Sequence, residues 1–228
     1  MSVKLELATF HPDSVPIATR CGVQRLELCE DYSCGGLTPS LDYFEAVREE
    51  FPGKIFVMIR PRAGGYIYSD EEFDIMLRSV KLFRQRKADG FVAGFFRHEQ
   101  EINEQQLKKF VETCDGLPVT FHRSFDGLQD WKRGLDTLIK AGCTRLLTSG
   151  DGNGAYEGRF SISEMIKFAG DGILILPGGG IRSRNVQYIL DECHPAEVHS
   201  AAIRSSPEHI VDETELVAMM KLLNMKAD

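Results

Sequence analysis

The chain has 228 residues, 43% of them hydrophobic, and carries 27 Lys and Arg against 34 Asp and Glu for a net charge of −7. That apolar share supports a sizeable core and excludes a disordered chain, and the acidic balance argues against a nucleic-acid or anionic-membrane surface. No apolar run approaches the ~18 residues of a membrane span. The opening MSVKLELATF reads as a strand with no apolar signal-peptide region, so a soluble, cytosolic protein is expected.

In chain order, a strand at 3–8 leads to a helix at 13–21, and a strand at 24–29 leads through the loop 30–39 to a helix at 41–51. A third strand, 54–60, is followed by the loop 61–69 and a helix at 70–87, with Phe73, Leu77, Val80 and Phe83 at helical spacing. Strand 90–95 precedes a helix at 103–114, with Asn103 as cap and Gln106 three residues on. Strand 117–122 precedes helix 130–141, ended by Gly142. Strand 145–149, a glycine-rich loop and helix 163–169 follow. Strand 172–176 runs into Gly178-Gly179-Gly180 and a helix from 182 to 192, and strand 197–200 precedes the last helix, 212–225.

Eight alternations of strand and helix, joined by mostly short loops, predict a (β/α)8 TIM barrel in the α/β class. An open doubly wound sheet is the alternative, but it rarely fits eight strands into this length. The joint Cys21-Gly22-Val23-Gln24-Arg25-Leu26 is echoed at Ala141-Gly142-Cys143-Thr144-Arg145-Leu146, as expected of one domain built from a reused βα unit. That domain takes in 1–228, with the strands and first seven helices in 3–203 and a short loop and C-terminal helix in 204–228.

Barrel strands are normally continuous apolar runs, yet Glu6, Glu27, Arg60, His122, Glu197 and His199 interrupt them here. Alternation sends the flanking Leu and Val to the helices and the charges to the lumen, where unpaired charges would cost several kcal/mol each, roughly. Glu6, Glu27, Arg60, His122 and His199 are therefore expected to form one polar network near the C-terminal mouth, where this fold places active sites. A structural salt-bridge network is the other reading.

The loops add anion-binding chemistry. Arg60 and Arg62 offer guanidinium forks suited to carboxylate or phosphate. Thr148 and Ser149 lie beside a glycine-rich loop, and Gly178, Gly179 and Gly180 open a helix where this fold commonly holds phosphate. In Pro118–Asp126, His122 is the candidate general acid or base, with Glu6 or Glu27 as complementary carboxylate and Arg123 and Asp126 to orient the ring. The expected partner is a small anionic, carboxylated or phosphorylated, metabolite. A divalent metal on Glu6, Glu27 and His122 is conceivable, and a mere scaffold would not gather these groups.

Leu26-Glu27-Leu28-Cys29, Gly35-Gly36-Leu37-Thr38-Pro39-Ser40, Ile59-Arg60-Pro61-Arg62, Tyr68-Ser69-Asp70, Thr120-Phe121-His122-Arg123, Leu147-Thr148-Ser149-Gly150 and Glu197-Val198-His199-Ser200 resemble, in order, the CutC family of copper homeostasis proteins. Ala201 stands where that family often has a second serine, and 204–211 is shorter than the corresponding segment in many members. The resemblance implies a cytosolic TIM barrel, a homodimer or higher homo-oligomer, linked to copper tolerance and Cu(I) binding. Cu(I) prefers thiolates. Of six cysteines, without a C-x-x-C, Cys29 and Cys34 are the candidate ligands at the mouth, near His122 or His199. His199 and Ser200 complete the expected anion-binding set.

Overall fold

Alternating apolar runs give the expected strands in the computed structural model, which describes residues 2–98, 100–204 and 207–224. They are β1 (Lys4–Thr9), β2 (Arg25–Leu28), β3 (Lys54–Met58), β4 (Gly90–Ala93), β7 (Val119–Phe121), β8 (Arg145–Thr148), β9 (Leu174–Pro177) and β10 (Glu197–Ser200). All pair in parallel in the order β10-β1-β2-β3-β4-β7-β8-β9. β9 and β10 complete the circle side by side without a hydrogen-bonded ladder, so the TIM barrel is nearly closed.

Among the described residues eight α-helices wrap it: α1 (Ser14–Arg20), α2 (Leu41–Glu50), α3 (Asp70–Gln85), α4 (Glu104–Cys114), α5 (Trp131–Ala141), α6 (Arg159–Ala169), α7 (Val186–Cys193) and α8 (Glu213–Asn224). None, among the described residues, is long and apolar enough to cross a membrane. Leu5, Leu7, Leu26, Leu28, Ile55 and Val57 face the helices in one large core, each contributing about 1.5–3 kcal/mol of burial. Inside the barrel, Cys29, Phe56, Met58 and Val92 form a separate small cluster, with Phe10 packed against it.

Local chemistry sets several boundaries. Ser69 and Glu72 form a reciprocal capping box on α3. Asn103 caps α4 by accepting from the Gln106 N–H, whereas the Gln106 side chain turns away to the Tyr68 carbonyl. Gly142 ends α5 in the left-handed conformation, φ 87°.

Three expectations are corrected. α6 starts at Arg159, a turn before the expected 163, because Gly158 acts as its cap. The helix expected from 182 begins at Val186, because the Asn185 side chain accepts the Arg182 N–H and holds 182–185 as a turn. The fourth strand stops at Ala93, and the chain then makes an unforeseen hairpin, β5 (Phe96–His98) against β6 (Glu101–Ile102). Its Phe96 N–H donates to the Tyr66 carbonyl at 2.9 Å, anchoring the loop after β3. The expected end of the last helix, Met225, lies outside the described residues, as do 205 and 206 of the segment 204–211.

Candidate functional site

Parallel register puts Glu6 of β1 level with His199 of β10 and Arg25 of β2. Glu6 is fully buried, accepts from Arg25 Nε at 2.5 Å and lies 2.9 Å from His199 Nδ1. Arg25 also pairs with Glu197, which has Arg145 Nε at 3.4 Å. Both guanidinium groups lie over the Phe56 ring, at 5.3 and 4.6 Å. Gly90 leaves room for that ring, since a Cβ there would fall 2.6 Å from it. His199 Nε2 then reaches Glu27 Oε2 at 3.6 Å.

The result is a chain of charges from the lumen floor to the mouth, ending in Glu6–His199–Glu27. Burial would raise the Glu6 carboxyl, but the hydrogen bond and charge of His199, with Arg25, bring it down to about 2. Burial lifts Glu27 to about 7, against the charge of His199 and with that of Glu6. His199 is disfavoured as a cation by burial, yet Glu27 and Glu6 together raise it above its ordinary value. Near neutrality Glu6 is ionised and Glu27 is poised to take or give a proton, while the two carboxyls favour the protonated form of His199.

Arg60 and His122 stand apart from this chain, so the expected single network is two groups around one cavity. Arg60 is 4% exposed and donates to the carbonyls of Cys34 (2.8 Å), Gly36 (3.2 Å) and Gly64 (2.7 Å). Its guanidinium lies 4.8 Å from the Tyr66 ring centre, and among the described residues its Nε has no partner and it forms no ion pair with a carboxylate. The Tyr66 ring in turn lies 4.7 Å from His122. His122 Nδ1 accepts the Ser124 N–H at 3.3 Å, and its buried Nε2 has no partner among the described residues. Burial, reinforced by the charge of Arg60, pushes this imidazole down to about 3.

Gly94 makes the ring position possible, because a Cβ there would lie 2.4 Å from His122 Cε1 and 2.7 Å from Nδ1. Gly94→Ala is therefore expected to displace the imidazole and destabilise the protein by about 1–3 kcal/mol. Urea unfolding would show this as a lowered midpoint at constant slope. An unchanged midpoint would mean that the ring has room to move.

The remaining expected residues divide. Arg123 lines the cavity while its Nε donates to Asp126 (3.0 Å) and its Nη2 to Ser149 Oγ (3.1 Å). Thr148 and Ser149 point to Asp126, each donating a hydroxyl at 2.6 Å, so they brace the rim and do not line the cavity. Gly179 and Gly180 line it, both at positive φ, whereas Gly178 is wedged between Leu147 and His199. With α7 starting only at Val186, no helix N-terminus opens at this glycine run. Ser200 lines the cavity, donates to the Ile181 carbonyl at 2.7 Å and accepts from Arg182 Nη1 at 3.1 Å.

Arg62 is the clear departure. It pairs with Glu72 and donates to the carbonyls of Ala63, Gly65 and Ile67, stapling its own loop to the start of α3 away from the cavity. In its place come residues not anticipated at the site: Tyr66, Ser124, Tyr32 and Arg182. Arg182 is held by the Ile181 and Ile203 carbonyls and, among the described residues, forms no ion pair with a carboxylate. The cavity is about 270 Å³, sized for a small metabolite.

The thiols do not suit a resident Cu(I) ion. Cys29 is 1% exposed within the apolar cluster, and burial pushes its thiol well above the ordinary range, against the thiolate that Cu(I) needs. Cys34, in the loop that follows Cys29, donates to the Asp31 carbonyl. Among the described residues no three His, Cys, Asp or Glu side chains are grouped to hold a metal, including Glu6, Glu27 and His122.

Residues 3–204 match the CutC family. The human copper homeostasis protein cutC homolog is 38% identical over 198 residues, covering 87% of this chain and 72% of its own length. The family protein CutC of Enterococcus faecalis is 37% identical over 196 residues, covering 83% of this chain and 94% of its own. The crystal structure of CutC from Streptococcus agalactiae has a TM-score of 0.83 at 29% identity, over 88% of this chain and 99% of that one.

Proposed function

This chain belongs to the CutC family of copper homeostasis proteins, and from that premise we propose that its barrel mouth binds a small anionic metabolite and performs acid–base chemistry on it. The observation that carries this reading is Arg60, a guanidinium 4% exposed at a cavity wall, held by three carbonyls and the Tyr66 ring and, among the described residues, by no carboxylate. A buried cation without a counter-charge is costly unless a ligand supplies it. Arg182 and the Gly179-Gly180 turn, on the far side of the strand ring from Arg60, give a second place for negative charge, carboxylate or phosphate. His122 and the Glu6–His199–Glu27 relay face each other between them and provide the protonic groups.

A thermal-shift screen of carboxylated and phosphorylated metabolites tests this. A ligand at about 100 times its Kd should stabilise the protein by about 2.7 kcal/mol, raising Tm by several degrees. Arg60→Ala should weaken that ligand by about 1.5–3 kcal/mol, the worth of a charged hydrogen bond. A shift identical in Arg60→Ala would place the anion elsewhere. No metabolite shift, together with one tight Cu(I) equivalent lost in Cys29→Ala or Cys34→Ala, would argue for copper as the ligand.

A further inference from the structure

We infer that His122 acts on the bound anion as a neutral imidazole that donates its Nε2–H to a ligand oxygen, and that the group moving the proton is Glu27, across the cavity. This deepens the anion-binding reading above and rests on it. The starting point is geometry. The Ser124 N–H occupies Nδ1, so the single proton of a neutral ring is on Nε2. That nitrogen is buried and has no partner among the described residues, although the ring lines the cavity. Gly94 beneath and Tyr66 alongside fix the ring plane.

A buried donor with no acceptor is disfavoured unless a ligand satisfies it. The groups around the ring fix its charge state. Arg60 is the nearest cation against it, and Arg123 and Arg182 line the same cavity, whereas the carboxyl of Glu27 and the imidazole of His199 belong to the other wall. Burial and Arg60 keep His122 neutral, so it is not an imidazolium that could protonate the ligand. A neutral imidazole can still polarise a carbonyl.

In the strand order β7, which His122 directly follows, lies across the barrel from β1, and Glu27 and His199 flank β1 on β2 and β10. A carbonyl compound between the walls would lose a proton from the adjacent carbon to the Glu27 carboxylate. The C–H electron pair would pass to the carbonyl oxygen, where the His122 Nε2–H and Arg60 meet the new negative charge. Protonation reverses the step. The ligand class is thus an anion with an enolisable carbonyl beside its acidic group.

Long-range ¹H–¹⁵N correlation of the imidazole rings in the labelled wild-type protein tests this without a known substrate, with His122→Gln and His199→Gln spectra for assignment. His122 should read as the neutral Nε2–H form from about pH 5.5 to about 8.5, while His199 reads as imidazolium at the acid end. Oxalate, a planar mimic of an enolate, and inorganic phosphate are the probes. Oxalate should shift the His122 Nε2–H downfield, and the Arg60 Nε–H reports anion binding independently. An imidazolium or Nδ1–H form of His122, or an unmoved Nε2–H while Arg60 responds, overturns the inference and leaves anion binding standing. No response of Arg60 to either probe counts against both.

Discussion

Arg25→Met is expected to destabilise the barrel by about 3–5 kcal/mol, the loss typical when one partner is taken from a buried ion pair. The side chain is 7% exposed and holds two carboxylates at once, Glu6 and Glu197. Methionine would keep the apolar stem beside Phe56 but leave both acids without that cation in the lumen. Of a total stability near 5–15 kcal/mol this is a large fraction. Urea unfolding at neutral pH measures it as a fall in midpoint at constant slope. Adding Glu197→Gln should recover part of the loss, because the second change removes a charge that the first left uncompensated. Equal, additive losses would mean that Arg25 contributes packing rather than charge. The acid limb should change too. Glu6, held at about 2 against an ordinary 4.5, contributes stability that is present above 4.5 and lost as pH falls through about 2. Without Arg25 that loss moves toward higher pH.

The barrel was legible because its signals are local and repeated: eight apolar runs, turn glycines, and caps such as Asn103 and Gly142. Strand alternation also assigned Glu6, Glu27, His122 and His199 to the lumen. It gives the face of a side chain and not its distance to others, which is why His122 is grouped with acids across the barrel from it, and Arg60 with acids it does not pair with among the described residues. Arg25 and Arg145 have the same phase as Glu27 and Leu147, two residues on. Each, however, opens its strand, where an arginine ordinarily reads as a solvated end. Arg62 follows Arg60 at the same two-residue spacing, but the strand has already ended at Met58, so alternation no longer applies. The capping-box Glu72 takes it instead. Tyr66 was out of reach of any local rule, since a hairpin of weak strand signal, Phe96–His98 with Glu101–Ile102, holds its loop in place. Arg182 was read as the start of a helix, and the Asn185 side chain decided otherwise.

Glu27→Gln is expected to stabilise the protein at alkaline pH while removing the proposed proton-transfer group. Burial raises this carboxyl to about 7 from an ordinary 4.5, so between those values the native state keeps a proton that the unfolded chain has lost. Stability from this group therefore falls as pH rises across that window, by at most about 3 kcal/mol. Glutamine has nearly the shape of the protonated acid and does not titrate. The difference between variant and wild type should be near zero at about pH 5 and reach on the order of 1–3 kcal/mol at about pH 8.5. His199 subtracts from it. Its raised value makes it a stabilising cation below 6.5, lost as pH climbs through the folded value, and the variant has one carboxylate fewer to support it. His122, lowered to about 3, drives stability the opposite way between there and 6.5. It does so in both proteins and cancels from the difference. Urea midpoints of the pair across this pH range measure the effect, and a gap independent of pH would mean that Glu27 is solvated and has an ordinary acidity. Turnover of whatever substrate the metabolite screen identifies should fall by about 10²–10⁴ with binding retained, since the ligand's charge is met by arginines and Glu27 only exchanges the proton. A carboxyl that makes the fold less stable when ionised, in a cavity where Arg60 and Arg182 meet no carboxylate among the described residues, is better explained by chemistry than by architecture.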